Sequence, residues 1–284
     1  MSEAIQLLSI EDLESLGVDQ AQRLLSRWNP SKETLDWSAS LAKQGRPYPM
    51  QFVWNLHRRP GVMHATSFSQ PCDRYLQLEL LRTQATSHFG PSLTALLDTG
   101  TAVGFQLGYY HVTLAEHLGF DADLEYDIYK HSDFAKSLRI GGRADLLVHE
   151  RTIVLPTGQE VRIRHIDDFK SINEEGFQKL RRPAASYVRQ QQIYMACTNT
   201  PVSVLLYMHK DTSRFAHFIL TFDVEIWEAV RARAQRVLQA TERGESLEPR
   251  DGRGCNSCQF SVPCRGAQAA SRTGRHRGLP RIRS

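Results

Sequence analysis

Four of the five cysteines have the spacing of metal ligands. Cys255, Cys258 and Cys264 form a Cys-x2-Cys-x5-Cys group near the C-terminal end, whereas Cys72 lies far upstream in a Pro-Cys-Asp-Arg segment. Four thiolates can bind a [4Fe-4S] cluster or a tetrahedral zinc ion, and the residue types alone leave both metals open. Because Cys72 is so distant in sequence, such a centre would hold together both ends of the intervening chain.

Two acidic segments carry a second chemistry. Asp145 interrupts a mostly apolar stretch, and Asp168 and Lys170 are two positions apart in a predicted strand, so they project from one face. Carboxylates on adjacent strands form a hard oxygen site suited to Mg2+ or Mn2+. Such an ion can polarise a phosphodiester while the lysine orients or activates water. A salt-bridged pair of strands is the alternative explanation of these residues.

Gln190 and Tyr194 are four positions apart on a predicted helix and therefore face the same way. An amide and a phenol on one face could hold a phosphate or stack on a base. A capped surface helix with a buried tyrosine would give the same pattern.

The order of predicted helices and strands around these residues indicates an α/β fold with a central mixed sheet flanked by helices. Ser9 and Asp12 indicate a helix start near the N-terminus, and Gly100, Gly104 and Gly108 line one face of a long helix, where a strand or nucleic acid can approach closely. Strands are predicted at 124–129, 138–148, 160–170, 202–208 and 215–222, and helices at 93–117, 180–197 and 224–243. Pro156-Thr-Gly158 predicts a turn between the strands at 138–148 and 160–170.

Composition limits the class of protein. The chain has 284 residues, 41% hydrophobic, with a formal net charge of +4, which permits a polyanionic partner. It contains no apolar run long enough for a membrane span and no signal-peptide pattern, so we expect a cytoplasmic protein without a membrane partner. A reducing compartment disfavours disulfides and favours metal ligation by the cysteines.

The motifs, taken together and in order, resemble those of the RecB-type PD-(D/E)XK nucleases that carry an iron-sulfur cluster. This group includes CRISPR-associated adaptation nucleases, AddB, the nuclease part of a eukaryotic replication helicase-nuclease, and phage-encoded recombination exonucleases. The matching motifs, in chain order, are Pro71-Cys72-Asp73-Arg74, Gly142-Arg-Ala-Asp145, Asp168-Phe-Lys170, Gln190-x3-Tyr194 and Cys255-x2-Cys258-x5-Cys264.

The resemblance implies a restriction-endonuclease-like core, with a site for Mg2+ or Mn2+ and a [4Fe-4S] cluster on the four cysteines, zinc being the alternative. In that arrangement Asp145 and Asp168 would be metal ligands, Lys170 the catalytic lysine, and Gln190 with Tyr194 an auxiliary pair. The cluster is expected to be structural.

Two further ligands follow from the resemblance. Glu125 matches a glutamate that such nucleases often have on the strand before Asp145. Their first motif usually contains a metal-binding histidine, but this chain has Gly104 at that position. His111, two helical turns further along, is the candidate replacement.

The resemblance also implies boundaries: a helical N-terminal extension at 1–65, the nuclease core at 66–250, a cysteine segment at 251–268 that closes onto Cys72, and a flexible basic tail at 269–284. The expected activity is that of a metal-dependent DNA exonuclease acting on ends or single strands in recombination, replication or repair, phage-encoded in some cases. A helicase or single-strand annealing protein is the expected partner. The alternatives are a catalytically weakened DNA-binding or assembly module and an iron-sulfur redox protein.

Overall fold

A central mixed sheet with helices on both faces organises the computed structural model. The structure describes residues 7–44, 59–84, 91–250, 255 and 258–264. The predicted basic tail at 269–284 lies outside the described residues, as does much of the cysteine segment. Within the described residues, no helix is both long and apolar enough to span a membrane.

The sheet is built around a long antiparallel hairpin. The strands are β1 (Leu7–Leu8), β2 (Met63–His64), β3 (Ala122–Asp127), β4 (Ile140–Gly141), β5 (Arg143–Val154), β6 (Glu160–Ile172), β7 (Val202–His209) and β8 (Phe215–Thr221). The strand order in the sheet is β3-β5-β6-β7-β8, and β1 pairs in parallel with the start of β6. The β6–β7 pair is parallel, whereas β3–β5, β5–β6 and β7–β8 are antiparallel. A separate parallel pair joins β2 to β4.

The helices cover the two faces of the sheet. They are α1 (Ile10–Leu16), α2 (Val18–Leu24), α3 (Pro30–Lys43), α4 (Asp73–Leu80), α5 (Pro91–Leu118), α6 (Ile128–His131), α7 (Asp133–Ser137), α8 (Glu174–Lys179), α9 (Ala185–Thr198) and α10 (Val224–Glu242), with a short 3-10 helix at Ala65–Ser69. Ser9 caps α1 in a reciprocal capping box with Asp12, as its sequence predicts.

Strand alternation assigns each helix to a face. On β7, Leu205 and Tyr207 pack in the cluster that contains α9 and α10, whereas Leu206 and Met208 pack in the cluster that contains α5. The N-terminal helices α1 and α2 pack on the α5 side, where Leu25 contributes to a core with β6 and β7. Residues 7–44 therefore pack against the sheet, and the division into an extension and a nuclease core stays a prediction.

The predicted elements are present, with differences at three of them. The strand expected at 124–129 ends at Asp127, just before α6, and the strand expected at 138–148 is divided into β4 and β5, which continues to Val154. The helix expected at 180–197 starts later than predicted. It begins at Ala185 because Pro183 fixes its own backbone and disfavours helical geometry at Arg182. A separate short helix, α8, precedes this break. The predicted turn between β5 and β6 is present, and Gly158 occupies it with a φ of +86°, which glycine adopts without strain.

Candidate active site

Two acidic residues lie where the β5–β6 hairpin separates. The last described register pair at this end joins Leu146 to Asp167, and Asp145 and Asp168 follow directly. Asp145 Oδ2 accepts a hydrogen bond from the backbone N–H of Phe169 at 2.7 Å, a group that a strand partner would otherwise bind. The diverging strands therefore leave two carboxylates together at one edge of the pairing.

Lys170 lies beside Asp168, on the same face of β6, as the strand periodicity predicts. Its Nζ forms an ion pair with Asp168 Oδ1, while its side chain keeps 18% exposure. Burial by itself lowers the pKa of Lys170, but the charges of Asp168 and Asp145 outweigh that effect and raise the pKa above its usual value. The lysine is therefore a protonated, positively charged group at neutral pH.

Asp145 is held in a different state. Burial, and next the negative charge of Asp168, raise the pKa of Asp145 to about 7, although Lys170 opposes this shift. One ammonium thus compensates two carboxylates incompletely. A cation placed between the two carboxylates would favour the ionised form of Asp145.

Gln191 holds the second oxygen of Asp168, and sequence reasoning missed it. Gln191 Nε2 donates to Asp168 Oδ2 at 2.9 Å, and Ser203 Oγ donates to Gln191 Oε1 at 2.7 Å. All three side chains are buried. The only sequence signal was an unbroken run of three glutamines, which does not indicate which amide reaches the carboxylate.

The predicted auxiliary pair is also brought together. Gln190 Nε2 donates to Tyr194 OH at 3.0 Å, and both side chains are buried. Burial first, together with the negative charges of Asp168 and Asp145, raises the pKa of Tyr194, so its hydroxyl is protonated. A Cβ on Gly142 would lie 2.9 Å from Tyr194 Cε1, so glycine leaves the space that the ring fills.

Glu125 lies at the border of the same group. Its backbone has a φ of +55°, which interrupts the pairing of β3 with β5 next to Asp145. Burial raises the pKa of Glu125, whereas the positive charge of Arg143, with an Nε–Oε2 distance of 3.5 Å, lowers it. The negative charge of Glu125 in turn raises the pKa of Asp145. The structure therefore brings Glu125 near the acidic pair.

His111 is placed elsewhere. Its Nδ1 is 2.8 Å from Asp167 Oδ2 and its Nε2 is 2.9 Å from Thr34 Oγ1, so both ring nitrogens have partners. Asp167 and Asp168 are consecutive on a strand and point to opposite faces. The structure therefore does not bring His111 to the acidic pair. At Gly104, an added Cβ would meet nothing within 4 Å.

The donor set fits a divalent cation by its chemistry. Within the described residues, no group of three or more histidine, cysteine, aspartate or glutamate side chains is arranged to hold a metal ion. Asp145 nevertheless keeps some solvent access, and the repulsion that raises its pKa comes from a second carboxylate. Two adjacent carboxylate oxygens match the ligands that Mg2+ and Mn2+ prefer.

The cysteines come together from the two ends of the chain. Cys72 Sγ accepts the backbone N–H of Arg250 at 3.5 Å, and Cys255 Sγ donates to the carbonyl oxygen of the same residue at 3.4 Å. Tyr75 on α4 stacks edge-on against Phe260, with ring centroids 5.0 Å apart. The C-terminal segment is therefore packed against the helix that Cys72 precedes.

The remaining two thiols belong to the same neighbourhood. Burial raises the pKa of Cys258, and the nearby Cys72 and Cys255 raise it further. Burial also raises the pKa of Cys264, which Arg74 opposes and the other three cysteines reinforce. No disulfide joins these cysteines in the described residues. Thiols have the donor chemistry of a soft or borderline metal centre. Among the described residues, however, no three of these cysteines are arranged as a group that could hold a metal ion.

The chain has only low similarity to known proteins. No protein-family model and no curated protein matches the chain. Among solved structures, SSO0001 is similar with a TM-score of 0.44 and 16% identity, covering 80% of this chain and 93% of that one. The alkaline exonuclease LHK-Exo from Laribacter hongkongensis is similar with a TM-score of 0.44 and 13% identity, covering 75% of this chain and 95% of that one. The complex of LHK-Exo with dAMP is similar with a TM-score of 0.43 and 14% identity, covering 63% of this chain and 87% of that one. At these values we draw nothing from the likeness about the chemistry of this chain.

Proposed function

We propose that this chain is a metal-dependent nuclease that hydrolyses DNA phosphodiester bonds, as an exonuclease acting on ends or single strands. The observation that carries the proposal is the group of Asp145, Asp168 and Lys170 at the separating ends of β5 and β6, with Tyr194 beside it. An ordinary structural ion pair would not require a second carboxylate whose pKa is raised by the first.

Each residue has a role in the proposed reaction. Asp145 and Asp168, with Glu125 at the border, would hold Mg2+ or Mn2+, which when bound polarises the phosphodiester and lowers the pKa of a water. Lys170, which is protonated, would hold the attacking oxygen or a phosphate oxygen by its charge. Tyr194 OH accepts from Gln190 and keeps its own proton for donation.

The four cysteines complete the proposal as a [4Fe-4S] site, with structural zinc as the alternative. Hydrolysis of a phosphodiester needs no electron transfer, so we assign the centre a structural role. Its position between α4 and the C-terminal segment supports that role, because a centre bound there would tie the two together. The cytoplasmic location, the role in recombination, replication or repair, and a helicase or annealing partner are proposed on the sequence grounds given above.

One observation favours a second candidate, a DNA-binding or assembly module of nuclease fold with weakened turnover. Gly104 provides no side chain where related nucleases are expected to have a metal-binding histidine, and both nitrogens of His111 are bound elsewhere. Fewer metal ligands would lower the affinity for the ion without affecting the fold.

The test is degradation of end-labelled single- and double-stranded DNA by anaerobically purified protein with Mg2+ or Mn2+. We expect metal-dependent loss of label that Lys170→Ala and Asp168→Asn abolish. Lys32→Ala is the matched control, because Lys32 is an exposed lysine whose ion pair with Asp36 lies on α3. Cleavage that persists in both site variants would refute the assignment of hydrolysis to Asp168 and Lys170, and DNA binding without cleavage by the wild type would establish the second candidate.

A further inference from the structure

A cavity of about 770 Å³ opens beside Lys170, where α8, the start of α9 and strands β6 and β7 meet. Its rim carries the exposed cationic side chains of Arg181 and Arg182, and also Lys179, which forms an ion pair with Glu175 at 2.6 Å. Its wall contains the phenol rings of Tyr187 and Tyr207. The cavity therefore combines positive charge at the surface with aromatic surface inside.

The cavity and the acidic group share a wall. Lys170 Nζ lies 5.0 Å from the centroid of the Tyr187 ring, and Tyr207 is the register partner of Lys170 on β7. The two phenol rings are 6.5 Å apart between centroids. A ligand in the cavity would thus lie next to the group that we assign to hydrolysis.

The rim is partly fixed. Arg181 Nη1 donates to the carbonyl oxygen of Gln178 at 2.8 Å, and Pro183 holds the chain extended just before α9 begins. Arginine forks bind phosphate oxygens in pairs, and Arg181 and Arg182 bring two guanidinium groups to this rim.

The combination matches a nucleotide. Single-stranded nucleic acids are bound where cations follow the phosphates and aromatic rings stack on the bases. The volume lies within the range of pockets for small organic ligands, so it is of the order of one nucleotide and its flanking phosphate. In a duplex both faces of a base are covered by its stacked neighbours, so only an unpaired base can stack on a protein ring.

We infer that this cavity binds one unpaired nucleotide adjoining the phosphate to be cleaved, and that the substrate is therefore a single strand. The inference rests on the proposed function, because Lys170 connects the two sites. It assigns Tyr187 as the stacking ring and Arg181 with Arg182 as the phosphate contacts.

The experiment is fluorescence anisotropy with dye-labelled single- and double-stranded oligonucleotides, without added divalent cation so that no cleavage occurs. We expect Arg181→Glu/Arg182→Glu to weaken single-strand binding by about tenfold or more. The control Lys32→Glu/Lys43→Glu makes the same change in charge on α3, which packs with α5 away from α9. We expect this control to lose much less affinity for the single strand.

Stacking is tested separately. Tyr187→Ala should weaken single-strand binding by about five- to a hundredfold, whereas Tyr187→Phe keeps the ring and should stay near wild type. Equal losses in the two charge variants, equal losses for duplex and single strand, or no loss in Tyr187→Ala would each overturn the inference. If the cavity variants lose single-strand binding as expected but the wild type never cleaves DNA, the proposed nuclease activity is refuted, whereas the assignment of the cavity to nucleotide binding stands.

Discussion

The contact between Gln191 and Asp168 gives the sharpest test of how the site is held. In Gln191→Leu, a side chain of similar size removes the 2.9 Å hydrogen bond to Asp168 Oδ2 and leaves Ser203 Oγ without its acceptor. A hydrogen bond to a charged group contributes about 1.5–3 kcal/mol, and an unsatisfied buried hydroxyl costs about 1–3 kcal/mol. The added apolar surface of leucine offsets part of this, so we expect a loss of about 3 kcal/mol in the free energy of unfolding.

Urea unfolding measures this loss, with Gln178→Leu as the control. Gln178 makes an exposed hydrogen bond to Glu174 within one helix, so its replacement should change the free energy of unfolding by about 0.5 kcal/mol or less. Cleavage should also fall by about a hundredfold, because Asp168 loses the contact that fixes one of its oxygens.

A double-mutant cycle with Ser203→Ala measures the interaction energy between Gln191 and Ser203. Ser203→Ala leaves the amide oxygen of Gln191 without its donor, whereas the double variant leaves no orphan between these two positions. We therefore expect the double variant to lose about 1–2 kcal/mol less than the sum of the two single losses. A loss from Gln191→Leu as small as that of the control, or strict additivity in the cycle, would refute the reasoning.

The remaining predictions concern charge, the metal centre and the long helix. Because the pKa of Asp145 is raised from 3.8 to about 7, the folded state keeps a proton that the unfolded chain releases, so the contribution of Asp145 to the free energy of unfolding should fall as pH rises from about 4 to about 7. The buried His165, with a pKa lowered to about 4, contributes in the opposite direction. Asp145→Asn removes only the first contribution, so over this range its free energy of unfolding should become more favourable relative to wild type as pH rises, measured in urea titrations at several pH values; a difference from wild type that does not change with pH would contradict the assignment. Cys258→Ala should lower solubility and remove iron together with absorbance near about 400 nm, measured by metal analysis and spectroscopy; wild type with stoichiometric zinc and no iron would establish the zinc alternative. Gly104→Ala should stabilise the protein by about 0.5–1 kcal/mol in urea unfolding, because its Cβ meets open space, whereas Gly108→Ala should be less stable than Gly104→Ala because its Cβ would lie 2.7 Å from a methyl of Leu124. Equal stability of the two glycine variants would contradict this packing.

Much of the fold follows from local patterns in the sequence. The β5–β6 hairpin, its turn at Gly158 and the helices α5, α9 and α10 are predicted because apolar periodicity and turn residues act over a few neighbours. The same periodicity places Asp168 and Lys170 on one face of β6. The start of α9 was missed by a few residues, although Pro183 was the available signal.

The sequence by itself determined which groups are available for chemistry and which face of each element carries them. Only the tertiary structure decided which of these groups meet: Gln191 binds Asp168, His111 binds Asp167 on the opposite face, and Cys72 joins the C-terminal cysteines. The physical reason is one of range. Side-chain direction repeats every two or 3.6 residues along the chain, but contacts between distant segments depend on where strands separate and how helices pack across the sheet.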